Sequence, residues 1–446
     1  MNSERDNFPT LSDAGRRTLQ MMREHPSAPI FRNTSGNKLL AHEVEALRAF
    51  ERSVMDADIG WTSGTVPDWV MPFVAKAYED VPHYRAHGSP PRQFADLAPV
   101  TRANLAADIA QFVPDSVSTE RMINFRTTGT TGQPLLIASH PMVAGSYLAF
   151  HKRALQRVGV TPGHGKGQVG VMLLGHQRRC FTYVSVTPTM DESGLAKINL
   201  HPNDWRDIED RARYLDAMAP EILAGDPISF AELLALPVTL RPRALLSVSM
   251  MLLPGMRQRL EQRFACPVLD IYSLNEVGPV AVFDAQLGGH LLLQPQLFVE
   301  ILDASGQSVP DGERGEITLT GGFNFCLPLL RYRTGDYGAL RHTPHGPVIM
   351  DLSGRSPVRF LTAGGEWVNN VDVTHALHPL AIAHYSVHQA ADGSLVLRLC
   401  AAAMALADDA TRALAGLFGS QAVSVQALEA DDKTLQYTSD LAGAQA

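Results

Sequence analysis

Six consecutive residues, Thr127-Thr128-Gly129-Thr130-Thr131-Gly132, carry four hydroxyls and two glycines, followed by Gln133-Pro134 and an apolar run, Leu135-Leu136-Ile137-Ala138. Glycine lets a backbone approach a ligand closely, and successive N–H groups present partial positive charge to an anion. Threonine hydroxyls add donors at the same radius. The loop lacks the G-x-x-x-x-G-K-[ST] order of a Walker A motif, and no lysine follows it. The same composition also suits an ordinary surface turn, so its chemistry depends on what else the chain carries.

The elements that must position such a loop can be read from periodicity. The spacing predicts helices over Trp69–Tyr78, from Thr101 as an N-cap, and over Tyr147–Val158, Tyr214–Ala219, Pro227–Leu236 and Pro254–Phe264. Short apolar strands alternate with the later helices, at Gly170–Gly175, Glu221–Gly225, Arg243–Val248 and Pro267–Tyr272, a rhythm that predicts a largely parallel sheet. Leu297–Leu302 and Gly315–Thr320 flank a turn-rich Asp303–Arg314 and read as an antiparallel β subdomain. Ser394–Leu399 and Ala422–Gln426 read as strands around a helix at Asp409–Phe418. The expected fold class is α/β: a large N-terminal domain with mostly parallel sheets, helices and a β subdomain, plus a small α+β C-terminal domain. The expected boundary gives residues 1–354 and 355–446.

Composition narrows the partners. A net charge of −8 over 446 residues argues against a nucleic-acid surface, which would show a basic stripe. Cys180, Cys266, Cys326 and Cys400 are dispersed with no C-x-x-C pair, as in a reduced cytosolic protein. The N-terminal residues show no apolar run of signal-peptide type, and nowhere is an apolar stretch long enough to span a bilayer. A cytoplasmic protein without membrane or nucleic-acid partners is expected, and a homodimer is among the expectations.

Three further stretches follow the threonine loop in a telling order. They are Asp270-Ile271-Tyr272-Ser273-Leu274-Asn275-Glu276-Val277-Gly278, then Pro328-Leu329-Leu330-Arg331-Tyr332-Arg333-Thr334-Gly335-Asp336, then Gly354-Arg355 with a later Gly364-Gly365. With them the chain resembles the adenylate-forming enzymes, the superfamily of acyl-CoA synthetases, nonribosomal peptide adenylation domains and luciferases, and within it the phenylacetate–CoA ligase branch. The threonine loop resembles that family's phosphate loop, and the second stretch its Y-G-x-T-E-x-G motif. The third follows the branch's P-L-I-R-Y-R-T-G-D run closely. Ala77–Arg85 also looks like the branch's early helix. The resemblance covers nearly the whole chain.

The resemblance implies a site. Adenylation brings a carboxylate against the α-phosphate of ATP, so the repulsion of two anions must be screened. The loop's N–H groups and the hydroxyls of Thr127, Thr128, Thr130 and Thr131, with Gly129 and Gly132, would hold the phosphates, Thr128 counting among the catalytic set. Glu276 would help bind Mg²⁺, a hard cation suited to carboxylate, phosphate and water oxygens. Asp336 would accept from both ribose hydroxyls, Arg355 would add fixed positive charge, and Tyr272 would pack beside adenine and the acyl pocket. Ser249, in Ser247–Met250, falls where relatives carry a Gly/Glu-rich stretch flanking adenine. Lys433, the only lysine after Lys197, sits where the family places its C-terminal catalytic lysine. There an ammonium would balance charge on the pentavalent phosphorus; a surface lysine is the alternative.

Some residues depart from the family. Asn275 replaces the usual threonine of the tyrosine motif, and Gln133 stands where relatives often carry lysine. Pro357 lies at or beside the hinge position, where its fixed φ would restrict rotation. His290, His342 and His345 have no cysteine close by, so no zinc site is expected. His176 lines an acyl pocket or is simply a packed histidine.

The implied reaction is ATP- and Mg²⁺-dependent activation of a small-molecule carboxylic acid, of the aryl or arylacetic class, as its acyl-AMP. The acyl group then passes to a thiol, coenzyme A first. An acyl carrier protein thiol, an amine acceptor, or a non-catalytic nucleotide-binding role are the alternatives.

Overall fold

The computed structural model describes residues 4–126, 135–177, 180–354, 358–428, 435–442 and 444. The chain forms two compact units. One comprises Met1–Leu40, Val158–Asp270 and Pro357–Ala446; the other comprises Ala41–Arg157 and Ile271–Ser356. No helix among the described residues is long and apolar enough to cross a membrane.

The first unit holds the parallel strands. Val169–Gly175 pairs in parallel with Ser193–Asn199 on one side and with Ile222–Gly225 on the other, which pairs in parallel with Ala244–Val248. Tyr183–Thr187 closes one edge antiparallel to Ser193–Asn199. Helices Asp210–Met218, Pro227–Ala235 and Pro254–Phe264 connect the strands. Strands buried on both faces need continuous apolar runs, and Met172, Ile198, Leu223 and Leu245 meet Tyr214, Phe230, Leu260 and Phe264 in one core. The i, i+4, i+8 stripe of Met256, Leu260 and Phe264 is the buried face of its helix, as its spacing requires.

Residues 358–442 of this unit build an α+β module. Its sheet runs in the order Val423–Ala427, Leu395–Leu399, Tyr385–Gln389, Tyr437–Ser439. Helices Asn370–Leu377 and Ala407–Phe418 supply Val373, Leu377, Leu414 and Phe418 to a core with Phe360, Val387 and Leu397.

The second unit is dominated by antiparallel ladders. Its strand order is Leu297–Leu302, Arg314–Gly321, Leu329–Thr343, Gly346–Ser353, Gly289–Leu292, Gly278–Asp284, then Val268–Leu274. The expected pairing of Leu297–Leu302 with the strand after the turn is present, from Leu297↔Gly321 to Leu302↔Glu316. A two-residue strand, Val100–Thr101, joins Leu329–Thr343 in parallel. Thr101 then caps helix Arg102–Ala107, with Asn104 completing a capping box. Strands Ile123–Arg126 and Leu136–Ser139 form a separate antiparallel hairpin on either side of the threonine loop.

A buried ion pair fixes the strand that later carries the site. Arg331 adopts a left-handed backbone, φ 45°, where its ladder with Arg314–Gly321 shifts register. Its Nε donates to Glu300 Oε1 at 2.8 Å and its Nη2 to Oε2 at 3.1 Å. Nη1 donates to the carbonyls of Ala95 and Leu97, and Nη2 also to that of Gly306. Both partners are buried, so removing one leaves an uncompensated charge in a low dielectric. Glu300→Ala is expected to lower the unfolding free energy by about 3–5 kcal/mol. A urea titration of the full chain reads it, and an unshifted midpoint would mean that the backbone carbonyls alone satisfy Arg331.

Candidate active site

Two of the sequence motifs meet in the second unit, and they meet crosswise. Tyr272 lies on strand Val268–Leu274, and Glu276 follows in the connection to strand Gly278–Asp284. Tyr332 and Asp336 lie on strand Leu329–Thr343. The Tyr272 hydroxyl donates to Asp336 Oδ2 at 2.8 Å, and the Tyr332 hydroxyl donates to Glu276 Oε1 at 2.9 Å. Each motif thus supplies the phenol that orients the other motif's carboxylate. Burial, then the charge of Asp336, holds the Tyr272 phenol well above its usual range; burial, then Glu276, does the same to Tyr332. Both hydroxyls therefore stay protonated and donate at neutral pH.

The Glu276 connection is held by groups far away in sequence. Gln294 Nε2 donates to the carbonyls of Val277 and Pro279, each at 2.7 Å. Asn324 Nδ2 donates to the carbonyls of Ala138, at 3.1 Å, and Glu276, at 3.3 Å. Gly278 has φ 73°, and a Cβ there would lie 2.7 Å from the Phe323 ring, so glycine is required for both reasons. The Tyr147 hydroxyl donates to the Asn275 carbonyl at 3.3 Å. The Glu276 carboxylate is only 4% exposed as a residue, with Arg102 Nη1 3.5 Å from Oε1.

Asp336 projects from a bulge. Glu316 pairs with Tyr337 and Thr318 with Arg333, so Thr334, Gly335 and Asp336 stand opposite the single residue Ile317. Glu316 clamps this bulge: Oε1 accepts from the Gly335 N–H at 2.9 Å and Oε2 from Arg333 Nε at 2.6 Å. Thr334 Oγ1 donates to the Ile317 carbonyl and accepts from the Asp336 N–H. Gly335 takes φ 79°, which explains the glycine of the T-G-D run.

Of the residues singled out in the sequence, Tyr272, Glu276 and Asp336 come together here. Ser249 lies in the first unit just after strand Ala244–Val248, in a left-handed backbone, φ 71°. Thr127, Thr128, Gly129, Thr130, Thr131, Gly132, Arg355 and Lys433 lie outside the described residues, as do Gln133 and Pro357. Sequence reasoning missed Tyr332, Glu316, Arg102, Gln294 and Asn324. Tyr332 stood inside a quoted motif, and that position was the available signal. The other four carry no local signal.

The donor set suits a hard divalent cation. A buried carboxylate offers one strong oxygen ligand, and among the described residues no group of three or more His, Cys, Asp or Glu is placed to hold a metal. A cation at Glu276 would draw its remaining ligands from phosphate and water, as Mg²⁺ does in nucleotide sites.

No family model matches the chain. The phenylacetate-coenzyme A ligase of Pseudomonas putida is 27% identical over 314 residues, 65% of this chain and 69% of that protein. The enzyme of the same name from Aromatoleum evansii is 27% identical over 293 residues, 59% of this chain and 63% of its own length. The alignments thus span about two thirds of those relatives. A crystal structure of 2-hydroxyisobutyryl-CoA ligase, in the postadenylation state in complex with R3-HIB-AMP, has a TM-score of 0.60 at 17% identity. It covers 89% of each chain, which establishes a shared fold. The chain is thus similar in sequence to phenylacetate-coenzyme A ligases and shares its fold with a solved acyl-CoA ligase.

Proposed function

We propose that this protein is an acid–thiol ligase that activates a carboxylic acid as its acyl-AMP and transfers the acyl group to coenzyme A. The observation that carries the reading is the crossed pair of tyrosine–carboxylate hydrogen bonds, which holds Glu276 and Asp336 within one unit. Relatives named phenylacetate-coenzyme A ligase favour an aryl or arylacetic acid as substrate.

ATP enters as the adenylyl donor. Thr127, Thr128, Thr130 and Thr131, with the N–H groups of Gly129 and Gly132, hold its β- and γ-phosphates. Asp336 accepts from the ribose hydroxyls, and Tyr272 on its Oδ2 helps fix the carboxylate rotamer. Glu276 would hold Mg²⁺, which when bound screens the negative charge between phosphate oxygens. Arg355 adds positive charge beside the ribose and phosphate, and Ser249 contributes to the adenine side. An oxygen of the acid attacks the α-phosphorus and pyrophosphate leaves, with the Lys433 ammonium balancing the equatorial charge. The thiol sulfur of CoA then attacks the acyl carbon, the acyl–phosphate bond breaks, and AMP departs with the electron pair. The working division is residues 1–354 for nucleotide and acid, and 355–446 for a mobile domain carrying Lys433.

Pyrophosphate release across a panel of acids, with CoA, a carrier protein or amines as acceptors, tests this reading and sorts the acceptors. Glu276→Gln is expected to slow pyrophosphate release about 10²–10³-fold, the scale of one lost charged transition-state contact. Unchanged release at limiting Mg²⁺ removes Glu276 from the metal site.

Glu316→Ala frees the bulge that presents Asp336 and is expected to weaken AMP binding about tenfold, the scale of losing a group that orients a ligand. Glu316→Gln, which keeps an acceptor for the Gly335 N–H, is expected to recover part of it. Calorimetry reads both, and equal affinities in all three proteins mean that the bulge holds its shape without the clamp.

Lys433→Ala separates the half-reactions. Pyrophosphate formation is expected to fall about 10²–10³-fold, while thioester formation from supplied acyl-AMP stays near wild type. A contact made only in the first transition state does not alter the second barrier. Equal loss in both steps assigns Lys433 to a role shared by the two.

A further inference from the structure

Arg102 is tied to the strand that carries Tyr332. Val100 pairs in parallel with Tyr332 and Thr101 with Arg333, and Arg102 is the next residue. Its guanidinium reaches Glu276 Oε1, the oxygen that also accepts the Tyr332 hydroxyl. The two side chains differ sharply in exposure, 34% for Arg102 and 6% for Glu276. A buried carboxylate therefore has a cation on one side, and that cation keeps part of its surface in solvent.

The geometry points to Arg102 as an internal stand-in for the divalent cation, resting on the assignment of Glu276 as its ligand. In the nucleotide-free protein the guanidinium neutralises Glu276, which would otherwise be a costly buried charge. A divalent ion on the same oxygen repels the guanidinium and displaces it. The short parallel pairing keeps the Arg102 backbone beside Tyr332, so the displaced side chain remains within reach of ligands gathered around Glu276. A planar guanidinium matches phosphate oxygens better than any other side chain. Arg102 thus exchanges a carboxylate partner for a phosphate partner as metal and nucleotide arrive. No covalent bond changes in this exchange.

Two titrations on the full chain test it. Mn²⁺ binding to nucleotide-free protein is followed by electron paramagnetic resonance, and ATP binding in EDTA by calorimetry. Arg102→Met is expected to tighten Mn²⁺ about fivefold, the scale of releasing a partly exposed ion pair, and to weaken metal-free ATP about tenfold, the scale of a lost charged hydrogen bond. Arg102→Lys keeps most of both affinities. Adding Glu276→Gln to Arg102→Met abolishes the gain in Mn²⁺ affinity. A purely structural arginine would weaken both ligands together, and that result overturns the inference, as does an unchanged or absent Mn²⁺ response. Because neither titration involves an acid or a product, opposite movements without pyrophosphate release from any acid would discard the ligase reading and leave this one standing.

Discussion

Two phenol hydroxyls set the geometry on which the site depends. Carboxylates are poor at fixing their own rotamers, because an ionised group in water has many equivalent partners. Tyr272 and Tyr332 remove that freedom by presenting buried donors whose pKa burial and the neighbouring carboxylates raise. The crossing matters more than either bond alone. Since each phenol comes from the other carboxylate's strand, a shift of one strand by a single residue would break both contacts and turn the side chains to the opposite face. Arg331 and Glu300 oppose that slip from below, and Gln294 and Asn324 oppose it from the side.

Much of this was legible beforehand. Helix Pro254–Phe264 and strand Leu297–Leu302 lie on their expected bounds, because proline at a helix start and an unbroken apolar run leave little choice. Helix Pro141–Gln156 begins earlier than the expected Tyr147, since His140 caps it and proline occupies its first turn. The motif residues Tyr272, Glu276 and Asp336 were legible because their spacing is local. The clamps were not. Glu316 reads as an ordinary strand glutamate, and only the bulge opposite Ile317 gives both of its oxygens a partner. Arg102 reads as the first residue of a capped helix, and its nearness to Glu276 comes from a two-residue pairing that no periodicity announces.

Glycine choices around the site follow the same logic. Gly278 and Gly335 both take positive φ, yet for different reasons. At Gly278 the space is already filled by Phe323 and Tyr147, so a side chain fails on volume as well as on backbone. At Gly335 no atom lies within 4 Å of where a Cβ would stand, so the requirement is conformational alone. Substitutions at the two positions would thus fail differently, one by collision inside an aromatic cluster and one by unbending the bulge.

The bulge also divides its strand mechanically. Upstream, Leu329–Arg333 is stiffened by the ladder, by the short parallel strand and by the Arg331 network. Downstream, Tyr337–Thr343 continues into the pairing with Gly346–Ser353, which leads to Gly354, whose Cβ position lies 3.5 Å from Asp336 Oδ1. Three looped-out residues between these halves behave like a slack joint in a rod. Asp336 therefore stands at the junction with the stretch leading to Gly354, while Glu276 and Tyr332 lie on the far side of the bulge.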